Sequence, residues 1–398
     1  MLSLLRSLKS LFNMSCFTAG FVAVLVGYTS SAVIIFQAAA AAGASTEEIS
    51  SWLWALGIGL GLTSIGLSLR YKSPVLTAWS TPGAALLITG LSGIPMAEAI
   101  GIFIFSSSLI FICGLTGWFD KLIRHIPQSL SAAMLAGVLL PFGLGLFKAL
   151  GVDWLLILGM LLSYLLIKLH WPRAAIPMTL IVGLLLAYSQ ELMHLEAVTF
   201  TLATPIWTTP EFQLSSLLSV GIPFFIVTMT SQMMPGFAVM RANHYNMPTS
   251  PVMTWTGLTG MLLAPLGGFS FNLAAITAAI CMGQEADPDP KKRYLATLWA
   301  GIFYLLMGLF AATITSLFAA FPQVLVAAIA GLALLGTLGN ALSAALNNDK
   351  EREASLITFM VTASGVSLGS IGSAFWGITL GLMAYHLPKF CRTKKIIE

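Results

Sequence analysis

Charge is what this sequence has least of. Asp, Glu, Lys and Arg make up 9% of its 398 residues, against about 25% in a soluble domain. That excludes a chain with an ordinary solvated surface, and the 57% hydrophobic content places it in lipid. Cysteine is scarce as well. Cys16, Cys113, Cys281 and Cys391 are scattered, with no CxxC pair and no histidine partner, so they read as structural filler rather than a disulfide framework or metal site. No His, Asp, Glu or Cys cluster of the kind an embedded enzyme requires is present. An enzyme, a metal and a cofactor are therefore not expected. The net charge of +4 is no argument for a nucleic-acid partner, because its placement has a simpler cause given below. No A-x-A-type cleavage site follows the first apolar run, which continues to Phe36, so that run reads as an uncleaved span.

What is present in abundance is apolar length. Segments of about 17–25 apolar residues, each long enough to cross a bilayer, centre near Val26, Leu60, Leu86, Ser107, Leu135, Met160, Gly183, Ile226, Leu258, Thr277, Leu305, Ala333, Phe359 and Gly381. The expectation is an all-α polytopic membrane protein with fourteen spans. Basic residues test that threading. With the N-terminus inside, every one of the 19 Lys and Arg residues except Lys148 faces the cytoplasm, as the positive-inside rule demands. Both termini are then cytoplasmic. The stretch from about Glu191 to Ser216 carries no Lys or Arg, and its Thr/Pro-rich middle reads as a surface loop in which short strands are an open alternative.

An internal repeat runs through the chain. Ile126-Pro127-Gln128-Ser129-Leu130-Ser131-Ala132-Ala133-Met134 resembles Phe321-Pro322-Gln323-Val324-Leu325-Val326-Ala327-Ala328-Ile329, 195 residues later. The first copy opens span five and the second opens span twelve. Two spans are interrupted, also seven apart: span three at Val75–Ala85 and span ten at Pro265–Ala275. Each starts as an extended piece and ends as a helix, so spans 3 and 10 are expected to be half strand, half helix. Seven is odd, which makes this a 7+7 inverted repeat. Paired interruptions at matching places are the best sequence pointer to a transporter's binding site, near the midplane.

The residue types at the breaks suit an anion. Ser80 or Thr81 can cap a helix in which Pro82 occupies the first turn, and Gly83 permits close approach. Gly267-Gly268 loosen the second break, and Asn272 is a natural N-cap before Leu273, Ala274 and Ala275. Two helix N-termini facing one another attract negative charge without Lys or Arg. Ordinary kinks in buried helices are the competing reading. The hydroxyl cluster Tyr28-Thr29-Ser30-Ser31 in span one, and Thr228, Thr230, Ser231 and Gln232 in span eight, would flank the same cavity. Such hydroxyls also serve helix–helix packing, while Gln232 is costlier to bury. Trp79, Phe269 and Phe271 can stack on a flat ring or simply pack.

The run Thr77-Ala78-Trp79-Ser80-Thr81-Pro82-Gly83-Ala84-Ala85-Leu86, together with Ala274–Cys281 and Gly372-Ser373-Ala374-Phe375-Trp376-Gly377, resembles the BenE family of bacterial benzoate:proton symporters over essentially the whole chain. The resemblance implies a small organic anion, an aromatic carboxylate, moved together with H+ by a multi-pass protein of the bacterial inner membrane; a homodimer fits that architecture. It also implies a nucleobase/anion permease-like division: core parts 1–125 (spans 1–4) and 217–316 (spans 8–11), gate parts 126–190 (spans 5–7) and 317–390 (spans 12–14), a connecting loop 191–216 and a cytoplasmic tail 391–398. Nucleobase relatives carry acidic residues on spans eight and ten where this chain offers Gln232 and Asn272, which suits an anionic solute. The expected substrate-binding set is Tyr28, Ser31, Ser80, Thr81, Pro82, Gly83, Gln232, Phe269, Phe271, Asn272, Leu273 and Ala274. Glu98 and Glu285 are the candidates for relaying the proton, the alternative being that the acid crosses already protonated. An uncoupled anion facilitator or channel, or a carrier of another heterocyclic or organic anion, remains the alternative.

Overall fold

The computed structural model describes residues 13–118, 127–171, 175–193, 196, 198, 200–284, 286–366, 368 and 373–394. Helix α1 spans Met14–Ala41 and is capped by the Asn13 side chain, which accepts from the Ser15 amide. Helix α2 (Thr46–Tyr71) opens on a reciprocal capping box between Ser45 and Glu48. It stops at Lys72, which adopts the left-handed conformation with φ 50°. A two-residue strand β1 (Thr77–Ala78) and a short helix α3 (Thr81–Gly90) follow. Next come α4 (Met96–Thr116), α5 (Gln128–Lys148), α6 (Trp154–His170) and α7 (Ala175–Ser189).

The second part of the chain has α8 (Leu214–Arg241), α9 (Thr249–Leu263), strand β2 (Asn272–Leu273) and short α10 (Ile276–Met282). Helices α11 (Tyr294–Leu309), α12 (Ala311–Ala319), α13 (Gln323–Leu346), α14 (Arg352–Ala363) and α15 (Ser373–Lys394) complete it. Pro95, Pro127, Pro248 and Pro322 sit immediately before α4, α5, α9 and α13. A proline there forfeits no intrahelical hydrogen bond, because its missing N–H belongs to the unpaired first turn.

Among the described residues, five helices are long and apolar enough to cross a bilayer: α2, α4, α5, α8 and α13. The number rises to seven if two bent pairs are each counted as one span, α1 with a 41° bend between Tyr28 and Ser31, and α11 with α12 at 65°. Helices α6 and α7 are apolar but shorter. The protein is therefore a helical polytopic membrane protein.

Packing divides along clear lines. α2 lies along α11 and α9 along α4, while α5 lies along α13, α14 against α5 and α15, and α6 against α7. The α2–α11 contact is backbone to backbone. A Cβ at Gly57 would stand 2.5 Å from the Gly308 Cα, so nothing larger than hydrogen fits there. Between the ends of several helices, residues 200–213 form neither helix nor strand, which removes the short-strand alternative over that stretch. They bond singly instead: the Ile206 amide to Ser51 Oγ, Thr208 to the Pro265 carbonyl, Glu211 to Ala97 and Ala203 to Leu309.

The two strands pair with each other, antiparallel, with Thr77 opposite Leu273 and Ala78 opposite Asn272. Strand starts Thr77 and Asn272, helix starts Thr81 and Ile276, and helix starts Gln128 and Gln323 are all separated by the same 195 residues.

Candidate functional site

The strand crossing organises the site. β1 and β2 are antiparallel and each passes into its helix within a few residues, so the N-termini of α3 and α10 are the helix ends nearest the crossing. At the first N-terminus the chain follows its local chemistry. Ser80 is the cap, its Oγ accepting from the Gly83 amide at 3.0 Å, with Pro82 in the first turn. Ser80, Pro82 and Gly83 are buried and Thr81 is half-buried.

The second N-terminus corrects the expectation for Asn272. That residue is in β2 and caps nothing; the helix begins at Ile276, after Ala275, with no side-chain cap. Leu273 and Ala274, expected in the first helical turn, are extended as well, and the Ala274 amide is bonded to the Leu76 carbonyl at 2.9 Å. Pairing with β1 keeps this segment extended past the point where asparagine would otherwise start a helix. Asn272 is completely buried, its Nδ2 donating to Ser270 Oγ while its Oδ1 has no partner.

Helix α1 brings Ser31 and Tyr28 to the first break. Trp79 Nε1 donates to Ser31 Oγ at 2.8 Å, and that hydroxyl donates to the Gly27 carbonyl one turn back. Tyr28 meets the Trp79 ring edge-on at 4.9 Å, and Tyr304 of α11 stands 6.1 Å from Tyr28 and 6.2 Å from Trp79. The Tyr28 hydroxyl is buried without a partner. The side chains of Thr29 and Ser30 lie outside the described residues.

Phe269 and Phe271 do not join this aromatic group. Phe269 packs near Trp52, Phe103 and Phe224, and Phe271 presses against Gly59 of α2 and Gly260 of α9. Those glycines leave hollows that the Phe271 ring fills, while Phe269 is held among the rings of α2, α4 and α8. Tyr304 takes the place expected for them beside Tyr28. The sequence signal for it was a phenol in the middle of an otherwise apolar helix.

From the other side comes α8, which is not a uniform helix. It contains π-helical turns at Leu217–Gly221 and Met229–Met233. Such turns recur at functional sites because they widen the helix and free backbone groups. The second turn carries half-buried Gln232 and packs against β2. Just before it, Thr228 is fully buried with an unpartnered hydroxyl.

None of α1, β1, α3, β2 or α10 contains a charged residue. Glu98 sits in the first turn of α4, away from the crossing, and accepts from Ser216 Oγ at 2.6 Å. Glu285 lies outside the described residues. Among the described residues no group of His, Cys, Asp and Glu is arranged to hold a metal ion. The site is therefore an uncharged, aromatic-walled position with hydroxyl and amide groups.

Comparison with known proteins agrees with this picture. The chain is 50% identical over 367 residues to inner membrane protein YdcO of Escherichia coli strain K12, covering 92% of this chain and 94% of that protein. It is 41% identical over 387 residues to the benzoate membrane transport protein of Acinetobacter baylyi, covering 97% and 98%. Among solved structures, the transmembrane domain of the cyanobacterial bicarbonate transporter BicA superposes with a TM-score of 0.60 at 11% identity, covering 92% of this chain and 97% of that one. That likeness speaks for the fold alone. The family described as benzoate membrane transport protein, BenE, matches residues 10–387, and this chain is a membrane transport protein belonging to that family.

Proposed function

We propose that the protein is a secondary transporter that imports benzoate, or a closely related small aromatic carboxylate, together with a proton by alternating access. The observation that carries this reading is the antiparallel crossing of β1 and β2 with α3 and α10 departing from it. Irregular backbone at membrane depth is tolerated where it lines a cavity or is buried in protein. A crossing built from two interrupted spans provides such a position.

The fourteen-span, 7+7 inverted repeat belongs to the same proposal. It is supported by the recurring 195-residue separation and by reciprocal packing. α2 of the first repeat lies on α11 of the second, as α9 of the second lies on α4 of the first. The packing groups likewise support a core of spans 1–4 and 8–11 and a gate of spans 5–7 and 12–14. Under this reading α1, α3 and α8 are the core elements that touch the gate. Both termini are cytoplasmic, the protein is bacterial and sits in the inner membrane, and a homodimer is compatible with it.

In the site we place the carboxyl group near Asn272, with Ser80, Thr81, Pro82 and Gly83 on one side and Leu273 and Ala274 on the other. The ring lies beside Tyr28, Trp79 and Tyr304, with Ser31 and Gln232 as polar neighbours and Phe269 and Phe271 as the packed wall behind. Importing an anion into a negative-inside cell costs about 2.3 kcal/mol per 100 mV, and a co-moving proton removes that charge. Uptake of labelled benzoate into proteoliposomes is the test. Accumulation above the external level, driven by an inward proton gradient and accompanied by external alkalinisation, is expected. Equilibration without accumulation would instead establish the uncoupled facilitator. Asn272→Leu should abolish or badly weaken binding, and wild-type affinity in that variant would refute the site.

A further inference from the structure

One buried acceptor in the site is left without a donor. Asn272 is 0% exposed, its amide nitrogen is engaged by Ser270, and its Oδ1 faces no donor. Several backbone donors around β2 and the start of α3 are occupied, while the first turn of α10 has no side-chain cap. The Gly83 and Ala84 amides bond to the side chain and carbonyl of Ser80, the Ala274 amide bonds to Leu76, and Pro82 has none. An ionised carboxylate only accepts hydrogen bonds, whereas a protonated one also donates through its O–H. Beside a buried, unpaired amide oxygen the neutral acid supplies the missing donor, which the carboxylate cannot do. The remaining oxygen of the acid can accept from a hydroxyl, and Thr228 and Tyr28 each bury one without a partner.

Charged side chains are scarce on the elements packed around this oxygen. β1 and the π-helical turn Met229–Met233, both packed on β2, contain none. The last part of α8 also packs there and ends on exposed Arg241. Tyr28 and Tyr304 flank Trp79. Glu98 is held by Ser216 at the start of α4. Beyond the end of α10, Arg293 donates to the Asp287 and Met282 carbonyls and the Asp287 carboxylate accepts from Asn13 Nδ2 and the Asp289 amide; Glu285 lies outside the described residues.

We propose that the solute crosses as the neutral acid, its carboxyl O–H donating to Asn272 Oδ1, so that the transported proton rides on the solute and not on a protein carboxylate. The carboxylate gains a proton on the side it comes from, forming the O–H bond, and releases the same proton on the other side. One anion and one proton move per cycle, no protein group changes charge, and no further reactant takes part. The inference rests on the aromatic-carboxylate reading above.

A carboxyl group with a pKa of about 4.3 is neutral in roughly one molecule in 500 at pH 7, and that fraction falls about tenfold per pH unit. Binding of benzoate, benzamide and benzenesulfonate to the wild-type protein in detergent, between about pH 6 and pH 8, provides the test. Benzoate affinity should weaken about tenfold per pH unit. Benzamide, which donates without ionising, should bind equally well across the range, and benzenesulfonate, ionised throughout, should not bind. Flat benzoate binding, or binding of benzenesulfonate, overturns the inference alone. So does benzamide affinity that tracks pH, which would put the proton on the protein, or absence of benzamide binding where benzoate binds. Failure of all three probes overturns the aromatic-carboxylate reading itself.

Discussion

At the scale of single residues, the first break is held by two side chains whose contributions can be separated. Ser80 satisfies an amide at the start of α3 that would otherwise be unpaired in a buried place. Ser80→Ala should destabilise the protein by about 1 kcal/mol, read as a lower unfolding temperature in detergent, and Ser80→Asp should retain most of the wild-type value. An alanine variant as stable as wild type would show that the cap is idle. Trp79 ties β1 to α1 through its indole N–H. Trp79→Phe keeps a ring but removes the donor, so a loss of about 1 kcal/mol is expected, equivalent to about fivefold weaker benzoate binding. If Phe binds benzoate as tightly as Trp, the indole hydrogen bond has no part in positioning Ser31.

At the scale of elements, helix pairs approach as closely as their smallest residues permit. Gly57 of α2 lies against Gly308 of α11, whereas Gly66, two and a half turns further along the same helix, has nothing within 4 Å of where a Cβ would be. Gly57→Ala should therefore cost about 1–3 kcal/mol by forcing the helices apart. Gly66→Ala should be neutral or stabilising, since glycine inside a helix is about 1 kcal/mol worse than alanine. Thermal unfolding of the two variants side by side checks this, and equal effects would contradict the close packing. The far end of α10 depends on a different device. Arg293, 9% exposed, donates to the Met282 and Asp287 carbonyls at 2.8 Å each. Arg293→Met leaves those carbonyls without their donors and should cost about 3 kcal/mol, with loss of benzoate binding as α10 shifts. Retained binding at wild-type affinity would mean that the α10 position does not depend on this arginine.

At the scale of the whole molecule, the proposed threading puts Lys148 and Lys350 on opposite sides of the membrane. Cysteines placed singly at these positions in a cysteine-free background should react differently with an impermeant maleimide on intact cells. Position 148 is expected to label at once and position 350 only after permeabilisation; the reverse pattern, or equal labelling, would mean that a span has been missed or invented. The segment 200–213 matters at this scale too. Its bonds run to Ser51, Ala97, Pro265 and Leu309, near the ends of four helices that the proposal places in the core, so it links those helices. Under alternating access the core and the gate then move relative to each other with this strap travelling on the core.

Much of the site was legible in the sequence because the signals were local. A hydroxyl residue three before an amide, a proline in a first turn and a repeated Pro-Gln helix start each act over a few residues, so a cap at Ser80 or Thr81, Pro82 in the first turn and the 195-residue register could be read directly, and the structure chose Ser80. Asn272 was read as a cap by the same rule, and there the rule failed. Its strand partner is Ala78, far away in sequence, and the pairing delays the helix to Ile276. The choice of Tyr304 over Phe269 and Phe271 as the neighbour of Tyr28 likewise depended on other helices, through the hollows that Gly59 and Gly260 leave for Phe271 and the rings of Trp52, Phe103 and Phe224 around Phe269. Sequence alone determined where the chain breaks and with what period, since both follow from backbone chemistry. Which groups meet at the breaks was decided only in three dimensions, by strand pairing and by the space available between helices.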